Sequence, residues 1–218
     1  MPIYTSLSGE WHSFHVTNRG RPPLLSEETI LEKALEAFAT KGFAAMSVRA
    51  LNAELGLSHE AISRRFGPKS ELFRSAVAHG VQHVIADFND EVSRLAPAND
   101  LERLRAILRA FMVVSSRHPV LGELLHHESI DEQQRAVLMS EIGLGGLIAD
   151  TVALLHQLHE SGVIRDTKIR EIWFLAQGAA EPLRFHQFSQ MFDFFDGPIK
   201  RDAHIDKMVD VIVRGILI

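Results

Sequence analysis

Within "LGLSHEAISRRFGPK", residues 55–69, polar side chains gather on one arc of a short helical pattern. At about 100° per residue, His59, Glu60, Ser63 and Arg64 share an arc of roughly 140°, with Arg65 on its flank. Ile62 and Phe66, four residues apart, fall on the opposite side. The guanidinium of Arg64 suits guanine O6 and N7 or a phosphate, and the carboxylate of Glu60 suits cytosine N4. Lys69, at the start of the next helical pattern, suits a phosphate held together with free backbone N–H groups. The chemistry implied is the reading of a DNA major groove by an exposed helix. The plain alternative is a solvated face, because two arginines on an exposed helix are commonly no more than that. Glu60 has its own plain role, as a first-turn carboxylate favoured by the helix dipole. The helical pattern by itself leaves both readings open.

Three short helices must position that arc. Residues 26–41, "SEETILEKALEAFATK", open on Ser26 as an N-cap with Glu27 and Glu28 in the first turn. Ile30, Leu31, Ala34, Leu35 and Phe38 recur at helical spacing, and Gly42 reads as the stop. Ser47 caps "VRALNAEL", Gly56 ends it, and Ser58 caps "HEAISRRF". Pro68 suits the first position of a long helix running from about Lys69 towards Arg94. Val48, Leu51 and Leu55, with Ile62 and Phe66, present apolar faces that can bury against Leu31, Leu35 and Phe38. Each such burial contributes roughly 1.5–3 kcal/mol, enough to fix a helix-turn-helix unit.

Beyond "LAPAND" the pattern predicts helices at about 101–116, 119–127, 132–160, 168–193 and 203–217. No pair of alternating strand patterns flanks a hairpin turn, so the fold class is all-α. The expected domains are a leader and basic arm over 1–25, a helix-turn-helix unit over 26–72 and a larger helical body over 73–218. In the leader, Ile3, Tyr4, Leu7, Trp11 and Phe14 are spaced for one helical face, which either docks on the body or stays flexible. "TNRGRPP" follows as an extended basic arm, since Pro22 and Pro23 oppose helix.

Residues 26–73 resemble the DNA-binding domain of the TetR family of bacterial one-component repressors. The resemblance rests on an apolar first helix, "KGF", "SVRAL", "LGLS", an aliphatic residue four before Phe66, and Lys69 three before Leu72. It implies that Ser47, Arg49, His59, Glu60, Ala61, Ser63, Arg64, Arg65 and Lys69 face DNA. Departures from the family are informative. Many members carry Tyr in place of Ser63, Gly or Pro in place of Glu60, and Ser or Asn in place of Pro68. Arg64 and Arg65 stand where aromatic residues or His are frequent, so phosphate contacts are expected to move to the arginines. Arg19-Gly20-Arg21-Pro22 resembles the core of AT-hook peptides, so Arg19 and Arg21 are expected at the minor groove or at phosphates, with a plain flexible linker as the alternative.

Charge does not oppose this reading. The net charge of the chain is -5, but residues 1–80 hold nine Lys and Arg against eight Asp and Glu. The remaining residues hold fourteen against twenty, so the acidity lies in the body. Phosphate binding depends on local charge. The chain has no Cys, no secretory h-region at its start and no uninterrupted apolar run of the ~20 residues a bilayer needs. A cytoplasmic protein without a membrane segment is expected.

The body carries no Gly-rich phosphate loop, no G-x-S-x-G and no H-E-x-x-H, so no catalytic residue, cofactor or metal is assigned. His79 with His83, His126-His127-Glu128, and His156 with His159 have spacings a metal can use, and more often belong to surfaces or helix ends. The resemblance implies a homodimer on a palindromic double-stranded operator, released by a small-molecule effector. Trp173, Ala176, Ala180, Met208, Val209 and Ile212 are the candidate dimer face, with packing inside the subunit as the alternative. Phe111, Met112, Leu125, Leu155, Phe174 and Gln177 are candidate effector contacts, with plain core as the alternative. The competing function is a helical small-molecule-binding or metal-sensing bundle with altered or lost DNA binding.

Overall fold

In the computed structural model, Ser26 Oγ accepts from Thr29 N–H at 3.1 Å and starts α1, Glu27–Ala45. The structure describes residues 25–126, 132, 136 and 144–218. Gly42 kinks α1 with φ +74° and ψ 162°, and helical turns resume as far as Ala45. The expected stop is therefore a kink: glycine takes the positive φ without penalty, and a Met46 N–H to Gly42 C=O bond ties the next turn back. Ser47 Oγ accepts from Ala50 N–H at 3.3 Å and caps α2, Val48–Glu54. The recognition-type helix α3 spans only Ala61–Phe66. Ser58 is not its cap. The N-cap position belongs to Glu60, whose side chain makes no capping bond.

The long α4, Lys69–Leu95, follows Pro68 and crosses from the N-terminal unit into the body. There α5, Asp100–Arg117, and α6, Pro119–His126, precede α7, Leu144–Glu160, and α8, Ile169–Arg184. The expected helix over 168–193 ends early. Pro182 lies in its last turn and supplies no N–H, and three short helical turns occupy 186–196 instead. The last helix, α9, covers Arg201–Ile216. Of the expected helix over 132–160, the part before residue 144 lies largely outside the described residues.

Two principal cores result. The first gathers Ile30, Leu35 and Phe38 of α1, Leu51, Ile62, and Leu72 to Val81 of α4. It also takes Leu121 and Leu124 of α6. The 72/73 boundary expected from sequence thus falls inside a continuous helix whose first three turns belong to the N-terminal core. The second core joins α5, α7, α8 and α9 through Leu104, Leu108, Leu155, Ile172, Ala176 and Val209, among others. Between the helices of the body, Glu91 of α4 is 3% exposed and paired with Arg94 and Arg109. Arg109 also reaches Asp206 of α9 at 2.9 Å, so one guanidinium ties α4, α5 and α9. No helix among the described residues is long and apolar enough to cross a membrane.

Candidate nucleic-acid interface and effector cavity

The angle between α2 and α3 is set by one buried amide. Asn52 is fully buried; its Nδ2 donates to the His59 carbonyl at 2.9 Å, and its Oδ1 accepts from Ile62 N–H at 3.2 Å. Its own carbonyl accepts from Leu57 N–H at 2.8 Å, across the turn that Gly56 makes with φ +66°. Capture of the Ile62 donor by Asn52 explains why α3 needs no Ser58 cap. Ile62 at 0% exposure and half-buried Phe66 then hold the inner face of α3 on the core. The sequence reading passed over Asn52; an amide directly after a core leucine in a helix that should bury that face was the available signal.

The arc predicted from helical phase is outward. His59, Glu60, Ser63 and Arg64 are exposed, as are Ser47 and Arg49 at the start of α2; Ala61 is half-buried. Arg49 has no partner among the described residues, whereas Arg64 lies 3.2 Å from Glu60, both side chains about 74% exposed. A carboxylate here offsets part of the charge a phosphate would feel. The other two cations of the stretch are engaged elsewhere. Arg65 Nε donates to Glu27 Oε1 at 2.8 Å and its Nη1 donates to the Leu25 carbonyl at 3.0 Å. Lys69 Nζ donates to the Ala44 carbonyl at 3.1 Å and stands 4.8 Å from the centre of the Phe43 ring. These two residues brace the ends of α1, so in this arrangement both cations also have partners within the chain. The partners lie 38 and 25 residues away, beyond the reach of a helical-phase argument. Arg19 and Arg21 lie outside the described residues.

A profile of bacterial regulatory proteins of the tetR family matches residues 30–76, the segment just described. Over these residues the chain is similar to that family. The match takes in α2, α3 and the first turns of α4, the helix-turn-helix whose geometry is given above. An HTH-type transcriptional regulator of Mycobacterium tuberculosis is 25% identical over 118 residues, 51% of this chain and 58% of that protein. The chain thus spans little more than half the length of that curated relative. A tetR-family regulator from Thermus thermophilus superposes with a TM-score of 0.60 at 20% identity, over 87% of this chain and 96% of its own. One from Marinobacter aquaeolei gives 0.59 at 19%, over 86% and 93%. At these identities the likeness is one of fold, and it extends through the helical body.

That body contains an open-mouthed apolar cavity of about 80 Å³. Its walls come from α4 (Val84, Phe88), α5 (Phe111, Val114, Ser115, His118) and α6 (Leu121, Gly122), with Leu147 of α7 and Trp173, Gln177 and Arg184 of α8. Of the residues considered as effector contacts, Phe111 and Gln177 line this cavity. Met112, Leu155 and Phe174 do not. Met112 and Leu155 are core at 0% and 3% exposure, while Phe174 is 61% exposed on the outer side of α8. The side chain of Leu125 lies outside the described residues.

The predicted dimer face is also corrected. Ala176, Ala180, Val209 and Ile212 are buried in the core of the body, Met208 packs on the same core, and Trp173 faces Phe111 with ring centres 4.9 Å apart. The apolar stripe read from the sequence is the face that closes the subunit. Large apolar side chains left outside are Phe174 and Leu175 on α8, Val211 on α9, and several phenylalanines between 185 and 195. His79 and His83 meet edge to face at 4.4 Å, and among the described residues no three His, Asp or Glu side chains are placed to hold a metal. His127 and Glu128 lie outside the described residues.

Proposed function

We propose that this chain is a homodimeric, sequence-specific transcriptional regulator of repressing type, released from a palindromic operator when a small molecule enters the body. The observation that carries the reading is the Asn52-locked α2–α3 unit, which turns Ser63, Arg64 and His59 outward while Ile62 is fully buried. Such a helix fits the major groove, and two copies would address half-sites about 34–36 Å apart. Exposed Phe174, Leu175 and Val211 support a second copy packed across α8 and α9. Arg19 and Arg21 would enter the adjacent minor groove from the start of α1, which Arg65 holds.

Leu121 supports the release step. It lines the cavity and also belongs to the N-terminal core, and α6 packs on α1. A ligand displacing Leu121 would act on the helix-turn-helix unit through a single layer of side chains. Release requires tighter binding of that ligand to the displaced arrangement.

Fluorescence anisotropy on genomic fragments containing A·T-rich palindromes tests the proposal. Nanomolar binding with a steep salt slope is expected. The Glu60–Arg64 pair favours one competing reading, a bundle whose reading helix is neutralised. Glu60→Ala distinguishes the two. As a regulator the variant should bind DNA a few-fold more tightly, because Arg64 is released; if wild type and variant both fail to bind any fragment, the neutralised bundle stands.

A further inference from the structure

Arg184 ends α8 and lines the cavity, with a side chain only 7% exposed. Its Nε is fully buried and has no hydrogen-bond partner among the described residues. The carboxylate paired with it is that of Glu181, whose Oε1 lies 3.4 Å from Nη1 and whose side chain is 42% exposed. The Phe185 ring lies 5.5 Å away. Arg109, by contrast, is met by Glu91, Asp202 and Asp206. A buried guanidinium that is incompletely paired is costly. The site is also shaped for this side chain. A Cβ at Gly122 of α6 would stand 3.3 Å from Arg184 Nη2, so glycine lets the guanidinium lie against the α6 backbone. The walls facing it are apolar, chiefly Phe88, Val114, Leu147 and the Phe111–Trp173 pair.

We infer that the cavity takes a small organic acid: an apolar alkyl or aryl body against the Phe111–Trp173 wall and one carboxylate paired with Arg184. The inference rests on the effector reading above and names its ligand class. A charge-assisted pair in a water-poor site supplies what Glu181 leaves unmet, and the carboxylate would sit beside α6, the helix shared with the N-terminal core. Neutral or cationic molecules of the same size gain nothing from Arg184.

The test uses the full chain and matched probes: hexanoate, hexanol and hexylamine, and phenylacetate with benzyl alcohol, followed by calorimetry and tryptophan fluorescence. At least about tenfold tighter binding of each acid over its alcohol is expected. Arg184→Gln should abolish that preference. Gly122→Ala keeps the charge and should narrow the preference for the acid by crowding the guanidinium. Equal binding of acid and alcohol, absence of binding by both, preference for the amine, or an acid preference that survives Arg184→Gln would each overturn the assignment. Release of DNA is scored separately. An acid that binds through Arg184 and leaves the DNA complex intact refutes the effector reading and spares the site. Release by neutral or cationic compounds alone does the reverse.

Discussion

Asn52 in the N-terminal unit and Glu91 and Arg184 in the body are all polar groups taken out of water, and they end in different states. Asn52 satisfies a donor and an acceptor with two backbone partners on the far side of the turn. Glu91 is paired with two arginines. Arg184 keeps an unmatched Nε beside an apolar cavity. The N-terminal unit uses its buried amide to fix one geometry, as a surface that must match a rigid groove requires. The body locks α4, α5 and α9 with charge at one end and leaves one guanidinium N–H unmatched at the other. Fixed geometry suits the reading of DNA, whereas an unmatched donor suits the capture of a ligand.

The largest expected effect lies at the charged lock. Arg109→Ala removes the guanidinium that ties Glu91 to Asp206 and leaves the buried carboxylate with Arg94 alone. Breaking a buried pair from one side costs about 3–5 kcal/mol. Urea unfolding should show a loss of that size. The double change Glu91→Leu, Arg109→Leu should recover most of it, because an apolar pair of similar volume avoids the stranded charge. A double variant as unstable as Arg109→Ala would show that the ion pairs, and not the isolated carboxylate, carry the stability.

Asn52→Ala comes next. It leaves Ile62 N–H and the His59 carbonyl unpaired, at roughly 1–3 kcal/mol for the buried donor and less for the partly solvated carbonyl. DNA affinity should fall further than stability does, since the amide sets the α2–α3 angle. Asn52→Asp separates the two roles: it keeps the acceptor for Ile62 and loses the donor to His59. If anisotropy on the operator shows no loss for either variant, the geometric role of Asn52 is wrong.

The same contrast explains what the sequence made legible. The phase of Ile62 and Phe66 against His59, Glu60, Ser63 and Arg64 is a local property of one helix, and it predicted burial correctly. On α8 the phase of the apolar stripe was equally plain, but phase cannot say whether a stripe faces its own subunit or another. Ala176 and Ala180 turned out to close on the core of the body. Pro182 was the available signal for the early end of α8. The residues beyond it, Phe185 to Phe195, form short turns with exposed rings instead. The burial of Arg184, its glycine seat at residue 122 and the bracing of α1 by Arg65 and Lys69 depend on contacts across 25 to 62 residues of chain. No periodicity encodes them.

The smallest expected effects distinguish the adjacent arginines on which the DNA reading began. Arg64 projects into solvent with Glu60 as its partner, whereas Arg65 bridges to Glu27 and the Leu25 carbonyl. Exposed ion pairs contribute only about 0.2–1 kcal/mol, so both alanine variants should unfold within about 1 kcal/mol of wild type. Their DNA binding should differ in kind. Arg64→Ala should lower affinity and reduce the slope of log affinity against log salt by about 1 if the side chain meets a phosphate; with a guanine contact it should relax the sequence preference. Arg65→Ala should keep the slope contributed by the helix and lose affinity mainly on A·T-rich flanks, because it frees the start of α1 from which the basic arm departs. Deleting residues 1–24 should then make Arg65→Ala nearly silent. A unit drop in salt slope for Arg65→Ala in the truncated chain would return Arg65 to the phosphate-contacting set and leave α1 braced by other means.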